Sequence, residues 1–270
     1  MIHVCDFRER SSGGAVVPGR LVAGDAARLF TAERVCFLLH GFNVNREDGM
    51  ASLNRLAAAL PLSSEVDELV CVLWPGDHWS GALSYSFENR DADDSASALM
   101  QFIELACPRR PTLSFVAHSL GCRVAMRAAE LARRGRWRID QVCLLAAAID
   151  DDSLASSSVY RAASRSAQRV ATLYSHQDRV LRFAYPAGDL LQAFVFADEL
   201  ARGALGYHGP RPRRGPPEAV PESVTAQGIA DARRAGHGDY LPDEPPNEAQ
   251  RSAAAYVDEV LTGVPQPRYP

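Results

Sequence analysis

Short runs of apolar residues alternate along the chain with segments in which apolar residues recur every three or four positions. The run 35–39 (VCFLL) contains no polar residue, which is typical of a strand covered on both faces. Strands that alternate with helices predict an α/β fold with a mostly parallel central sheet and helices on both of its faces. The predicted strands cover 2–8, 15–22, 35–39, 69–74, 112–117, 142–149, 170–175 and 223–230, and the predicted helices lie within 45–60, 91–106, 120–134, 153–166 and 247–262.

The length of the chain limits its domain organisation. A chain of 270 residues suits one large α/β domain or two small ones, and no internal repeat divides it. We expect a single domain over residues 1–263. Within it, residues 178–222 break the alternation and predict an insertion, with a cap-like helix over 189–205 followed by a Pro/Arg-rich linker. The prolines in the last residues predict a frayed tail over 264–270.

Composition and spacing exclude several kinds of chemistry. All 29 basic residues are Arg and the sequence contains no Lys, which excludes Schiff-base catalysis and a Walker-type nucleotide loop. No Cys/His cluster has metal-site spacing and no G-x-G-x-x-G follows a strand, so we expect no metal and no cofactor. The net charge is −4 and no long basic stripe is present, so nucleic acid is not an expected partner.

Cysteine usage and hydropathy predict where the protein works. Its 6 cysteines stand singly, and most lie in apolar runs where a thiol behaves as a small buried hydrophobe. Reduced thiols, together with a start (MIHVCDFRER) that lacks the apolar core of a signal peptide, predict a cytoplasmic protein. No stretch of 18 apolar residues is present that could span a membrane.

One predicted strand runs directly into a predicted helix through the sequence AHSLG, residues 117–121. A serine between small residues at such a junction is a nucleophile elbow, a sharp turn that exposes the Ser119 hydroxyl and crowds the positions two before and two after it. The helix N-terminus behind the serine supplies a positive dipole and free N–H groups for an oxyanion. The same spacing occurs at Ser84 and Ser164, but neither follows a buried strand. The alternative is that Ser119 only caps the helix.

A second motif, HGFN at residues 40–43, follows the first buried strand. Gly41 allows the backbone to turn toward Ser119, so the N–H of Phe42 is a candidate oxyanion donor, with the N–H of Leu120 as its partner. The alternative is an ordinary turn at the end of a strand. The residues expected to line the substrate pocket border these turns and the end of the next strand: His40, Asn43, Trp74 and His118.

A serine hydroxyl needs a base, and the base needs a carboxylate that orients it. Two acids follow predicted strands downstream, Asp178 and Asp150, and either could instead cap the next helix. Asp178 is favoured because the acid of this arrangement usually follows the penultimate strand, and Asp150 remains the alternative acid.

The base must come from 7 histidines. Two lie upstream of the serine, two belong to the turns described above and are expected to be structural there, and His176 is too close to Asp178 to be its partner. His208 and His237 remain. His237 lies between glycines after the last predicted strand, where a loop histidine can reach across the edge of the sheet.

Four segments together carry a family resemblance: HGFN at 40–43, AHSLG at 117–121, LYSHQDRVL at 173–181 and GHGDY at 236–240. They resemble the α/β-hydrolase fold and are most similar to uncharacterised bacterial hydrolases of that fold. The resemblance spans residues 35–262 and includes Trp74-Pro75. It implies Ser119 as nucleophile, Asp178 as acid and His237 as base, with Phe42 and Leu120 as oxyanion donors. Ala117 stands where the first glycine of the elbow usually lies, a change without steric consequence.

The expected function is therefore a serine hydrolase that acts on a small-molecule ester or related acyl compound through an acyl-enzyme intermediate. Two alternatives use the same fold. The same residues could transfer the acyl group to an alcohol other than water, or the chain could be a binding module without catalytic activity.

Overall fold

The computed structural model describes residues 1–12, 14–60, 67–76, 84–155, 159–184, 203–211 and 219–263. Most of the predicted cap-like helix, most of the Pro/Arg-rich linker and the predicted frayed tail lie outside the described residues. The strands are β1 Ile2–Asp6, β2 Arg20–Ala23, β3 Arg34–Leu39, β4 Glu68–Leu73, β5 Thr112–His118, β6 Ile139–Leu145, β7 Ala167–Tyr174 and β8 Val224–Gly228. The α-helices are α1 Ala26–Thr31, α2 Arg46–Ala59, α3 Ser84–Ala106, α4 Gly121–Arg134, α5 Arg161–Ser166, α6 Leu205–His208 and α7 Glu248–Leu261.

The described strands form one 8-stranded sheet in the order β2-β1-β4-β3-β5-β6-β7-β8. Only β2 pairs antiparallel, with β1 at the sheet edge, and every other pairing among these strands is parallel. The fold is therefore the mostly parallel α/β type that the alternation of strands and helices predicts, and it agrees with the resemblance to the α/β-hydrolase fold. Parallel strands direct their carboxyl ends toward the same edge of the sheet, so the turns after β3, β5, β6 and β7 meet there.

Helices cover the sheet and explain the all-apolar strands. The buried run of β3 and its parallel neighbours leaves at most 1% of residues 35–39 exposed, which requires cover on both faces. Helix α3 packs on α4, and α4 on α5, whereas α2 adjoins α7. The N-cap residues of α2 and α7 are Asn45 and Asn247, whose side chains accept the N–H of Asp48 and of Gln250.

Several predicted elements have different bounds in the structure, among them α3 and β6. Helix α3 begins at Ser84, upstream of the predicted start at residue 91. The predicted strand 142–149 leaves the sheet after Leu145, although the apolar run continues to Ile149. Ala146 has a φ of 44°, and the N–H of Ala148 donates to the carbonyl of Ser119 at 3.1 Å. The rest of the apolar run is therefore buried because it supports the turn at Ser119 and not because it continues β6.

Candidate active site

Ser119 occupies a sharp turn between β5 and α4. Its φ is 54°, a left-handed conformation that costs a non-glycine residue about 1–3 kcal/mol and persists only when its surroundings impose it. A Cβ atom on Gly121 would lie 2.3 Å from the carbonyl oxygen of His40, so only glycine fits at that position. The crowding predicted two residues after the serine therefore comes from the end of β3, which passes directly under the turn.

The Ser119 side chain does not cap the helix. The N-cap of α4 is Leu120, which makes no side-chain capping bond, and the Ser119 Oγ instead lies 2.8 Å from Nε2 of His237. The structure thus excludes helix capping as the explanation for this serine.

His237 lies between Ser119 and Asp178. Its Nδ1 is 2.7 Å from Oδ2 of Asp178, whose side chain is fully buried, while 19% of the His237 side chain is exposed. The other carboxylate oxygen of Asp178 accepts the N–H of Leu181 at 2.9 Å. A carboxylate only accepts hydrogen bonds, so Nδ1 of His237 carries the proton and Nε2 is left to accept the Ser119 hydroxyl.

The alternative acid and the alternative base lie elsewhere. The backbone of Asp150 pairs with Ala204 in an isolated bridge after β6, whereas the imidazole that reaches Ser119 binds Asp178. His208 ends α6, and its ring centroid lies 4.7 Å from that of Tyr207. Burial, followed by the charge of Arg211, lowers the pKa of His208.

The loop that carries His237 is anchored on both sides. The Ser175 hydroxyl donates to the carbonyl of Ala235 at 2.8 Å. Asp239 accepts the N–H of Gly236 with one oxygen at 2.8 Å and the side-chain amide of Asn247 with the other at 2.9 Å. Sequence analysis did not single out Ser175 or Asp239, although Asp239 lies within the GHGDY segment. Asn247 is the first residue of the predicted helix 247–262, and its role as N-cap ties the loop to α7.

His118 binds the same loop at the backbone of His237 itself. Its Nε2 lies 2.8 Å from the carbonyl oxygen of His237, and the two ring centroids are 4.9 Å apart. Burial is the main cause that lowers the pKa of His118 to about 3, and the adjacent His237 lowers it further. The His118 ring is therefore neutral, and Nε2 donates its hydrogen to the carbonyl.

The loop after β3 packs directly on the serine. A Cβ atom on Gly41 would lie 2.9 Å from the Cβ of Ser119, so glycine is required for this approach. Phe42 follows it, and Leu120 is the N-cap of α4, at the end of the helix where N–H groups have no intrahelical acceptor. The structure thus brings both predicted oxyanion donors to the segments beside Ser119.

The residues expected to line the pocket have two kinds of environment. Asn43 is exposed, has a φ of 55° and donates its N–H to the carbonyl of Gly76 at 2.5 Å. His40 and Trp74 are 0% and 1% exposed and stack on each other. The Trp74 Nε1–H donates to the carbonyl of His40, and the His40 Nδ1–H donates to the carbonyl of Gly41. These two buried side chains therefore hydrogen-bond to the backbone of the loop that follows β3.

All 6 cysteines are buried free thiols, and burial raises the pKa values of Cys71 and Cys107 to about 12, so they stay protonated. Among the residues that the structure describes, no three His, Cys, Asp or Glu side chains are grouped as metal ligands. None of the described helices combines the length and apolarity needed to cross a membrane.

Comparison with known proteins identifies a family. The model of the family described as "Alpha/beta hydrolase of unknown function" (DUF900) matches residues 26–189. No curated protein sequence matches the chain at a significant level.

Several solved structures are similar to the chain at low identity. An esterase from the archaeon Pyrobaculum calidifontis is 14% identical, with 87% of this chain and 76% of that chain covered and a TM-score of 0.45. A carboxylesterase from Mesorhizobium loti is 18% identical (88% and 91% covered, TM-score 0.41), and a predicted CIB-like hydrolase from Thermoplasma acidophilum is 12% identical (93% and 96% covered, TM-score 0.45). Likeness at this level carries no argument about activity.

Proposed function

Because the chain belongs to the family of alpha/beta hydrolases of unknown function (DUF900), we propose that it is a serine hydrolase that cleaves a small-molecule ester or related acyl substrate. Ser119 is the nucleophile, His237 the base and Asp178 the acid. The observation that carries this proposal is the continuous chain of hydrogen bonds from a fully buried carboxylate through one imidazole to a serine in a strained turn.

The proton transfer follows from this arrangement. His237 Nε2 accepts the proton of the Ser119 hydroxyl as the oxygen attacks the acyl carbon, and the imidazole becomes positively charged. The Asp178 carboxylate, buried beside it, stabilises that charge and keeps the Nδ1 proton in place. His237 then protonates the leaving group, and a water activated by the same imidazole releases the acyl group from Ser119.

The negative charge that develops on the acyl oxygen needs donors that are already in position. The N–H groups of Phe42 and Leu120 fill this role, because they belong to the two segments that pack against Ser119. Removal of one such donor in other enzymes typically lowers the rate by about 10²–10³-fold. In this proposal the single domain over 1–263 carries the whole site. The insertion over 178–222 begins at the acid, Asp178. The proposed location of the protein is the cytoplasm.

A fluorophosphonate probe tests the proposal, because such probes phosphonylate activated serines. The wild type should be labelled at Ser119, as shown by peptide mass spectrometry, and should hydrolyse short p-nitrophenyl esters. Ser119→Ala and His237→Ala should abolish both signals. The matched control is Ser164→Ala, which removes a serine of the same local spacing that lies at α5.

The outcomes separate the alternatives. An unlabelled wild type without esterase activity would contradict the proposal and favour a binding module on the same fold. Labelling of Ser119 together with transfer of the acyl group to an added alcohol in preference to water would favour an acyltransferase. Labelling that persists in His237→Ala would show that another group activates the serine.

A further inference from the structure

His118 takes no part in the proposed proton transfer, yet it touches both loops that complete the site. Its side chain is buried, with 7% of the residue exposed. Nε2 reaches the carbonyl oxygen of His237 at 2.8 Å on one side. On the other side, a Cβ atom added to Gly41 would lie 3.1 Å from Nδ1. The ring therefore lies between the loop that carries the base and the loop that carries an oxyanion donor.

The chemistry of the contact defines which nitrogen carries the hydrogen. A carbonyl oxygen can only accept, so Nε2 of His118 must be the donor. The ring is neutral, because burial and the adjacent His237 hold its pKa at about 3. A neutral ring can lie 4.9 Å from His237 without repelling the imidazolium that forms there during the proposed reaction.

We propose that His118 is a positioning residue for the base: its Nε2–H holds the backbone carbonyl of His237 and so keeps the imidazole within reach of Ser119. The inference rests on the proposed function and deepens it. His118 ends β5 and is the immediate neighbour of the nucleophile. The donor and Ser119 therefore belong to the same rigid segment, and one hydrogen bond fixes the distance between nucleophile and base.

The other anchors of the loop do not replace this bond. The Ser175 hydroxyl binds Ala235 and the Asp239 carboxylate binds Gly236, both of which precede His237. His237 itself lies nine residues beyond the end of β8, at Gly228, and its backbone carbonyl is held by His118. Loss of that donor removes the bond to the backbone of His237 itself, while the anchors at Ala235, Gly236 and Asp239 stay in place.

Two amide variants distinguish the effect of losing the N–H donor from the effect of losing the imidazole ring. In His118→Gln the amide nitrogen occupies the place of Nε2 and can still donate to the His237 carbonyl, whereas in His118→Asn it occupies the place of Nδ1 and cannot reach. We expect His118→Gln to keep a kcat close to that of the wild type. His118→Asn should lower kcat, and the rate of fluorophosphonate labelling, by about 10–100-fold with little change in KM, because small misplacements of a reacting group cost rate.

A second measurement does not depend on activity. The Nδ1–H of His237, bonded to Asp178, should give a downfield proton NMR resonance in the wild type and in His118→Gln. In His118→Asn the loosened ring should broaden or shift this signal. If His118→Asn does not fold, His118→Leu takes its place, because it removes the donor and keeps an apolar side chain in the same space.

The results that overturn the proposal differ from those that overturn the function. Equal kcat in wild type, Gln and Asn variants, or an equal loss in both variants with unchanged melting temperatures, would show that the donor does not position the base. An unlabelled and inactive wild type would refute the proposed function instead. In that case the NMR comparison still decides whether His118 fixes the His237 ring.

Discussion

Replacement of Asp178 by Asn tests the acid most directly, because the two oxygens of this fully buried carboxylate have different partners. Oδ1 accepts the N–H of Leu181 and Oδ2 accepts Nδ1–H of His237. An amide has only one acceptor oxygen. If that oxygen faces His237, the amide NH2 opposes the N–H of Leu181 and two buried donors lack acceptors, at a cost of about 1–3 kcal/mol for each unsatisfied group.

The amide therefore turns its oxygen toward Leu181 and its NH2 toward His237. In that orientation Nδ1 of His237 must accept a hydrogen bond, so the ring proton moves to Nε2. Because Nε2 then carries a hydrogen, it can no longer receive the proton of Ser119. A preference of about 1–3 kcal/mol lowers the population of the competent tautomer roughly 5- to 150-fold. Loss of the negative charge beside the imidazolium adds to this, and the sum approaches the decrease of about 10⁴-fold known for such a substitution in a Ser-His-Asp triad.

The assay is kcat/KM on a short p-nitrophenyl ester, with melting temperature as the control for folding. Asp150→Asn is the matched variant, since Asp150 follows the neighbouring strand and is the alternative acid. We expect a large loss in Asp178→Asn and a small one in Asp150→Asn. A decrease of less than about tenfold in Asp178→Asn, which corresponds to under about 1.4 kcal/mol of transition-state stabilisation, would falsify the argument.

Three further predictions follow from close contacts in the site. Gly41→Ala places a methyl group 2.9 Å from the Cβ of Ser119, so kcat should fall by about 10²-fold, and a wild-type kcat would contradict this packing. Asp239→Ala removes the acceptor of the Gly236 N–H and should lower kcat while it changes KM little, as steady-state kinetics would show. An unchanged kcat would mean that this anchor is dispensable. The pKa of His118 lies at about 3 in the folded chain against an ordinary 6.5, so the folded state binds fewer protons. The free energy of unfolding should then decrease by up to about 1.4 kcal/mol per pH unit as pH falls from 6.5 toward 3, and urea titrations should show a shallower decrease in His118→Gln; superimposable slopes would contradict it.

Local patterns predicted much of the fold because they report local physics. Asn45 lies before apolar residues at helical spacing, and its side chain does cap α2. The apolar run 35–39 is buried on both faces as β3. By contrast, the sequence pattern did not predict that α3 begins at Ser84, and the apolar residues after Leu145 are indistinguishable by pattern from a continued strand. The burial of an apolar residue does not by itself specify which secondary-structure element the residue belongs to.

The anchors of the base loop could not be predicted for a different reason. Ser175 and Asp239 are common polar residues. Ser175 binds a backbone carbonyl 60 positions along the chain, and Asp239 binds a backbone N–H of its own loop and the side chain of Asn247. The histidine beside the nucleophile was identified as part of a turn, but its contact with the carbonyl of residue 237 spans 119 positions in the sequence. Because every residue has a backbone carbonyl, the identity of a residue does not indicate which side chain binds its backbone.

Sheet register explains why one half of the site could be recognised from its motifs and the other half required a choice among candidates. Leu39 pairs with Ala117 across β3 and β5, so Gly41 and Ser119, each two residues further on, must arrive side by side. The base has no such constraint. It follows β8, which is separated from β5 by β6 and β7, and its loop must cross the carboxyl ends of both strands to reach the serine. The reach of that loop depends on tertiary anchors, so sequence order could favour His237 over His208 but could not by itself determine which imidazole arrives.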